Sequence, residues 1–171
     1  SGIWLKCNSL VDHRLIGLLY EASQAGVPIE IMARGVCCLR PGVAGLSETI
    51  TVRSIIGRFL EHGRIYVFAN GGEFLSDKNI VMISSADLMP RNLRRRVECF
   101  MRLENPTIRK QVLHQIMVAL LRDEKNAWYL QPDGSYVHPQ TDETSFSCHE
   151  YFMSNPSLSG LGSLAATQGN D

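Results

Sequence analysis

The opening stretch, residues 3 to 33, constrains the fold more than any other. Ile3-Trp4-Leu5-Lys6 reads as a strand, after which Asn8, Ser9 and Asp12 offer side-chain acceptors for the free N–H groups at a helix start. Leu15, Leu18, Leu19 and Ala22 fall at i, i+3, i+4 and i+7, one apolar stripe, and Gly26 with Pro28 stops the helix near Ala25. Ile29 to Ala33 is a second strand. A strand, a helix and a strand in one sheet favour a parallel pair joined by a right-handed crossover. The chain is therefore expected to be α/β, with ligand chemistry in the loops beyond one end of the sheet.

Three segments carry side chains suited to that chemistry. Glu61-His62-Gly63-Arg64 puts an imidazole at the mouth of an apolar run, Ile65 to Phe68. The loop over residues 33–42 holds Arg34, the adjacent Cys37 and Cys38, and Arg40, while the loop over residues 84–92 holds Ser84, Ser85, Asp87 and Arg91. Each adjoins a predicted strand, so the three are expected to meet at one rim. Arginine offers a planar fork of permanent charge that holds two phosphate oxygens at once. Arg34 and Arg91 are the candidates, with Arg40 or Arg64 in reserve, and His62 can hold a phosphate oxygen or exchange a proton with it near neutral pH. The group reads as a phosphate site.

Along the rest of the chain, Ile50 to Ile55 reads as a strand, Gly57 to Glu61 as a short helix, and Arg64 to Phe68 and Ile80 to Ser84 as a hairpin around Asn70-Gly71-Gly72. Arg96 to Leu103 is a further strand. Asn105-Pro106 marks a helix start, continued by Ile108, Val112, Leu113, Ile116 and Leu120 to near Lys125. Trp128 to Leu130 and Ser135 to Val137 flank a turn at Gln131-Pro132-Asp133-Gly134. From Gln140 onward Ser, Thr, Gly, Asn and Gln dominate, and residues 140–171 are expected to be a disordered tail.

Length and charge set outer limits. The 171 residues are enough for one domain with its own core. The formal charge is zero, but the part after Pro139 holds Asp142, Glu143, Glu150 and Asp171 with no Lys or Arg. Setting those four aside leaves thirteen acids against seventeen bases, an excess suited to anionic ligands. Five cysteines without a CxxC pair argue against a metal site or a disulfide framework, and a reducing cytoplasm is the expected setting. No apolar run approaches the roughly 18 residues of a membrane span. Ser1-Gly2 reads as a cloning remnant, and a chain that starts directly in a strand as a piece of a larger protein.

Several residues have ordinary structural readings. Cys37 and Cys38 are expected in the core, Arg94-Arg95-Arg96 on a solvated or ion-paired edge, and His13, His114, His138 and His149 away from function. Asp87 either orients a basic partner or caps the helix that follows.

At these residues the chain resembles the bacterial polyphosphate kinase family. The resemblance runs through Lys6 to Asp12, Ala33 to Gly42, Val52 to His62, Ser84 to Asp87, Met89 to Asn92 and Trp128 to Gly134. It implies a phospholipase D-like mixed sheet flanked by helices over residues 1–139, the last domain of an enzyme that reversibly moves the terminal phosphate of ATP onto inorganic polyphosphate. It places Arg34 and His62 at the nucleotide phosphates. The histidine that becomes phosphorylated, and the magnesium-associated arginines, belong to upstream domains, so His62 carries over as a proton donor or phosphate stabiliser. Arg91 as a phosphate ligand is an inference from residue type and loop position alone.

The implied partners are ATP or ADP, polyphosphate and the upstream domains of the same polypeptide. Magnesium, homo-oligomerisation and peripheral membrane association are expected for the full enzyme, and nucleic acid is not an expected partner. One departure stands out: Arg64 occupies the position where phospholipase D enzymes carry the lysine of His-x-Lys. That weakens the alternative of an independent phosphodiesterase. A noncatalytic polyanion-binding module is the other alternative.

Overall fold

A computed structural model of the chain describes residues 1–155. The strands are β1 (Ile3–Cys7), β2 (Ile29–Ala33), β3 (Ile50–Ile55), β4 (Ile65–Phe68), β5 (Ile80–Ser84), β6 (Phe100–Arg102), β7 (Ala127–Leu130) and β8 (Tyr136–Val137). They form one sheet in the order β6-β5-β4-β1-β2-β3-β7-β8. β1, β2 and β3 are parallel and every other neighbouring pair is antiparallel, giving the mixed sheet expected. Among the described residues no helix is long and apolar enough to cross a membrane.

The first crossover forms as the sequence predicts. α1 (His13–Gln24) starts at Asp12, whose carboxylate accepts from the N–H groups of Arg14 and Leu15. It ends where Gly26 turns to φ +79°, letting Gly26 N–H reach the Ser23 carbonyl and Val27 N–H the Ala22 carbonyl. The stripe it buries is rotated from the expected one. Ile16, Leu19 and Ser23 are buried with Leu15 and Ala22 beside them, whereas Leu18 is 60% exposed.

Each face of the sheet has its own core, because side chains alternate along every strand. Leu5, Cys7, Ile31, Ala33, Val52 and Tyr66 point toward α1 and pack with Leu10, Leu39 and Leu88. Met32, Ile55, Ile65, Val67 and Val81 point the other way. A helical segment covers that second face: α3 (Pro106–Lys110), a π-helical stretch over Gln111–Met117, and α4 (Val118–Leu121). Its buried side chains are Leu113, Met117, Ala119 and Leu120, and Asn105 caps its start as expected.

Four local expectations need correction. Residues 57–61 are not helical; Ile56 N–H donates to the Asn126 carbonyl and Phe59 N–H to a ring nitrogen of His149, so tertiary partners take what a helix would use. The strand expected over residues 96–103 shrinks to β6, since β5 ends at Ser84, paired with Phe100, and offers no ladder beyond it. The helix expected to reach Lys125 stops at Leu121. Residues 140–155 are not a loose tail: α5 (Cys148–Ser154) buries Cys148 in the second core and also buries His149. The remainder of that expected tail, 156–171, lies outside the described residues.

Candidate functional site

Strand direction alone brings the three loops together. β1 and β2 run parallel and end level, with Cys7 opposite Ala33. β4 runs back, so its beginning lies at that same rim, where Ile65 faces Lys6 on one side and Ile83 on the other. Asn8, Arg34, the His62–Arg64 segment and the Ser84–Asp87 segment therefore emerge side by side. Past the strand ends the loops stay zipped by two parallel bridges, Leu10 with Cys37 and Leu10 with Leu88. Gly35 permits a close approach between two of these loops: a Cβ there would lie 2.9 Å from the Asn8 carbonyl oxygen, closer than such atoms come.

A hydrogen-bonded chain runs across the rim. Arg34 donates from Nε (3.2 Å) and Nη2 (3.1 Å) to Asn8 Oδ1. Asn8 donates its backbone N–H to Asp87 Oδ1 (2.8 Å) and its Nδ2 to Asp87 Oδ2 (3.3 Å). Arg64 grips the same carboxylate in a fork, Nε to Oδ1 (3.2 Å) and Nη2 to Oδ2 (3.0 Å), and donates Nη1 to the His62 carbonyl (3.1 Å). One carboxylate thus orients Asn8, and through it Arg34, while holding Arg64 against the backbone of His62.

The electrostatics follow from this wiring. Burial pushes the Asp87 carboxyl up, but the hydrogen bonds from Arg64 and Asn8 outweigh it and leave its pKa below the ordinary value. The same pair raises the pKa of the Arg64 guanidinium, chiefly through the hydrogen bond to Asp87. Arg64 is consequently a structural cation. Arg34 spends two of its five N–H donors on a neutral amide and pairs with no carboxylate among the described residues, which leaves its charge for another partner.

The candidates divide accordingly. Arg34 lines a small pocket together with Lys6, Cys7, Met32, Ile55 and Glu61, which sets Arg34 beside the residue preceding His62. His62 is exposed, and its imidazole makes no hydrogen bond among the described residues. Arg91 lies exposed in the first turn of α2 (Pro90–Arg94), outside the hydrogen-bonded group. Arg40 is drawn away, donating from Nη1 to the Pro132 carbonyl (2.9 Å) in the β7–β8 turn. Arg94 pairs with Asp12 at 2.6 Å. Asp87 is not a cap, since the N-cap of α2 is Met89 and makes no side-chain cap hydrogen bond.

Sequence reasoning passed over the supports of this rim. Lys6 is 4% exposed, donates to the Gly63 carbonyl (2.9 Å) and lies 3.3 Å from Glu61. His149, set aside as a tail residue, is 2% exposed and sits 3.2 Å from the other Glu61 oxygen. Among the described residues no group of three or more His, Cys, Asp or Glu side chains could hold a metal ion. A wider cleft of about 920 Å³ opens at the other end of β4 and β5, but the carboxylate of Asp77 stands beside its Lys110 and offsets the cation that an anion would need.

Comparison with known proteins bears on this geometry. A family profile described as polyphosphate kinase C-terminal domain 2 matches residues 1–148. The chain is 56% identical over 162 residues to a polyphosphate kinase from Erythrobacter litoralis, covering 95% of this chain and 23% of that one. It is 52% identical over 149 residues to a polyphosphate kinase from Synechocystis, covering 86% and 20%. The crystal structure of a polyphosphate kinase from Porphyromonas gingivalis superposes with a TM-score of 0.82 at 34% identity, over 93% of this chain and 23% of that one. The chain thus spans less than a quarter of the length of these relatives.

Proposed function

This chain belongs to the polyphosphate kinase family, as its C-terminal domain 2, and from that premise we propose that its rim is the half-site that handles the phosphates of ATP and polyphosphate. The supporting observation is the chain Arg34–Asn8–Asp87–Arg64–His62, which presents from one edge of the sheet a guanidinium that pairs with no carboxylate among the described residues and one exposed imidazole.

Phosphoryl transfer asks a protein mainly for positioning and for charge opposite the phosphate oxygens. Arg34 supplies both, its free donors meeting two oxygens of the nucleotide phosphates while Asn8 holds the guanidinium plane. His62 stands against the transferred group and donates a hydrogen bond or proton to the departing oxygen. In the reaction proposed for the whole enzyme, a histidine of an upstream domain attacks the terminal phosphorus of ATP. An N–P bond forms as the bond to the bridging oxygen breaks, and ADP leaves. The terminal oxygen of polyphosphate then takes the phosphoryl group and frees the histidine, and each step runs in reverse as well. Arg91, exposed near the same rim, is proposed to meet the growing chain of phosphates.

Magnesium is expected to enter with ATP, its ligands coming from the nucleotide and from the rest of the enzyme. The whole enzyme is proposed to work in the cytoplasm as a homo-oligomer. In isolation this chain is expected to bind phosphates without turnover.

Titration of ATP or tripolyphosphate into the chain and into Arg34→Ala tests the reading. A charge-assisted hydrogen bond is worth about 1.5 to 3 kcal/mol, so the variant is expected to bind about 10- to 150-fold more weakly. Equal affinity would count against it. Hydrolysis of a simple phosphodiester by this chain, lost in His62→Ala, would instead favour an independent phosphodiesterase.

A further inference from the structure

His62 rides on a stretch, residues 57–63, with no regular secondary structure. Such a stretch would ordinarily be a poor platform for a group that must meet a phosphate to within a fraction of an ångström. Its side chains anchor it little: Leu60 is 75% exposed, and the ring of Phe59, itself 43% exposed, meets that of His149 edge-on with centroids 5.3 Å apart. Part of what holds it comes from the far end of the chain. His149, in the first turn of α5, accepts the Phe59 N–H at Nδ1 (3.4 Å), which leaves the ring hydrogen on Nε2, facing Glu61 Oε1 at 3.2 Å. That Nε2 is fully buried and has no hydrogen bond of good geometry. Glu61 is its polar neighbour. The other Glu61 oxygen lies 3.3 Å from buried Lys6, which donates in turn to the Gly63 carbonyl. Residues 59, 61 and 63 are therefore each tethered, on either side of His62.

α5 is itself fixed. Asp123, fully buried, accepts from the Cys148 N–H (2.7 Å), the Asn126 N–H (2.6 Å) and Asn126 Nδ2 (2.9 Å). Asn126 also donates to the capping hydroxyl of Ser147 (3.0 Å), and its carbonyl accepts the Ile56 N–H. Gly57 closes the assembly: a Cβ there would lie 2.6 Å from both Asn126 Oδ1 and His149 Nδ1. Any side chain at 57 would push the loop off the ring that holds it.

We propose that His149 is a positioning residue, the pin of a latch made with Glu61, Lys6 and Gly57, through which α5 sets where the His62 imidazole stands. The functional half of this inference rests on the reading of the rim as a phosphate site. His149 touches no substrate on this account. Its effect passes through the backbone of the loop.

The test compares the chain with His149→Phe, which fills the space without the two nitrogens, and His149→Gln, whose amide can accept from Phe59 N–H and donate to Glu61. Backbone ¹⁵N relaxation reads loop order, and tripolyphosphate titration reads function. The amides of residues 59–63 are expected near an order parameter of about 0.85 in the parent chain and His149→Gln, and below about 0.6 in His149→Phe. Tripolyphosphate affinity is expected to fall about tenfold in His149→Phe and to recover in His149→Gln. Should His149→Phe fail to fold, Gly57→Ala keeps every polar group and is expected to give the same loosening. Equal loop order in all proteins would overturn the latch, and a loosened loop with unchanged affinity would overturn the positioning of His62. Absence of tripolyphosphate binding by the parent chain would contradict the phosphate reading instead, and the relaxation data alone would then decide the latch.

Discussion

Replacing Asp87 by Asn should reveal how much of the rim depends on one carboxylate. The side chains of Asp87 and Arg64 are 8% and 14% exposed, so solvent screens their pairing weakly. Removing one partner of a buried ion pair costs about 3 to 5 kcal/mol because the other charge is left uncompensated. Asparagine keeps the shape and one acceptor for the Asn8 N–H, which places the expected cost of Asp87→Asn at the lower end, about 3 kcal/mol. In a domain of this size that lowers Tm by about 6 to 12 °C.

Urea denaturation of Asp87→Asn, Arg64→Met and the double variant measures the pair directly. A coupling energy of about 2 kcal/mol is expected. The pH dependence has a definite sign: the folded carboxyl titrates below its ordinary value, so its stabilisation is present above the unfolded-state pKa and is lost as pH falls through the folded one. The gap between parent and variant should therefore narrow in acid. Tripolyphosphate affinity should also drop, although Asp87 faces Asn8 and Arg64 rather than the ligand. A coupling below about 0.5 kcal/mol, or a gap unchanged from neutral pH into acid, would refute this account of the rim.

Two further expectations concern other parts of the same edge. Gly35→Ala should destabilise the chain by about 1 to 3 kcal/mol and weaken tripolyphosphate binding, since the added methyl meets the Asn8 carbonyl; urea midpoints and calorimetry check it. Cys7, buried with its pKa pushed up to about 12, should resist alkylation in the folded chain at pH 8 while exposed Cys38 and Cys99 react, as peptide mass mapping would show.

What could be read from the sequence was local. The α1 crossover announces itself through Asp12, the spacing of Leu15, Leu19 and Ala22, and Gly26, because each signal acts within a turn or two of its own position. Asn105-Pro106 and the turn at Asn70-Gly71 are legible for the same reason. The gathering of three loops follows from strand order, of which the crossover dictates the β1–β2 pair, while the place of β4 beside β1 is a long-range pairing.

Pairing across long separations was not legible. Arg34, Arg40 and Arg64 look equivalent in sequence, and only Asp87, Pro132 and Asn8 decide which guanidinium keeps its charge unspent. Residues 140–155 have a polar composition that suggests disorder, yet Asp123 organises them from 25 residues upstream of Cys148. His149 gives no such sign, because a lone histidine in a polar segment shows nothing local of Phe59 and Glu61, some ninety residues away, that meet it in the fold.

The central claim, that this rim takes up phosphate oxygens, is tested most directly by mapping amide and imidazole chemical shifts while tripolyphosphate is added to the isotope-labelled chain. The account predicts that the saturable changes concentrate on Asn8, Arg34 to Cys37 and His62 to Arg64, with the His62 ring among them. Changes gathered instead around Ser76, Asp77 and Lys110 at the opposite end of the strands, or none at all, would contradict it.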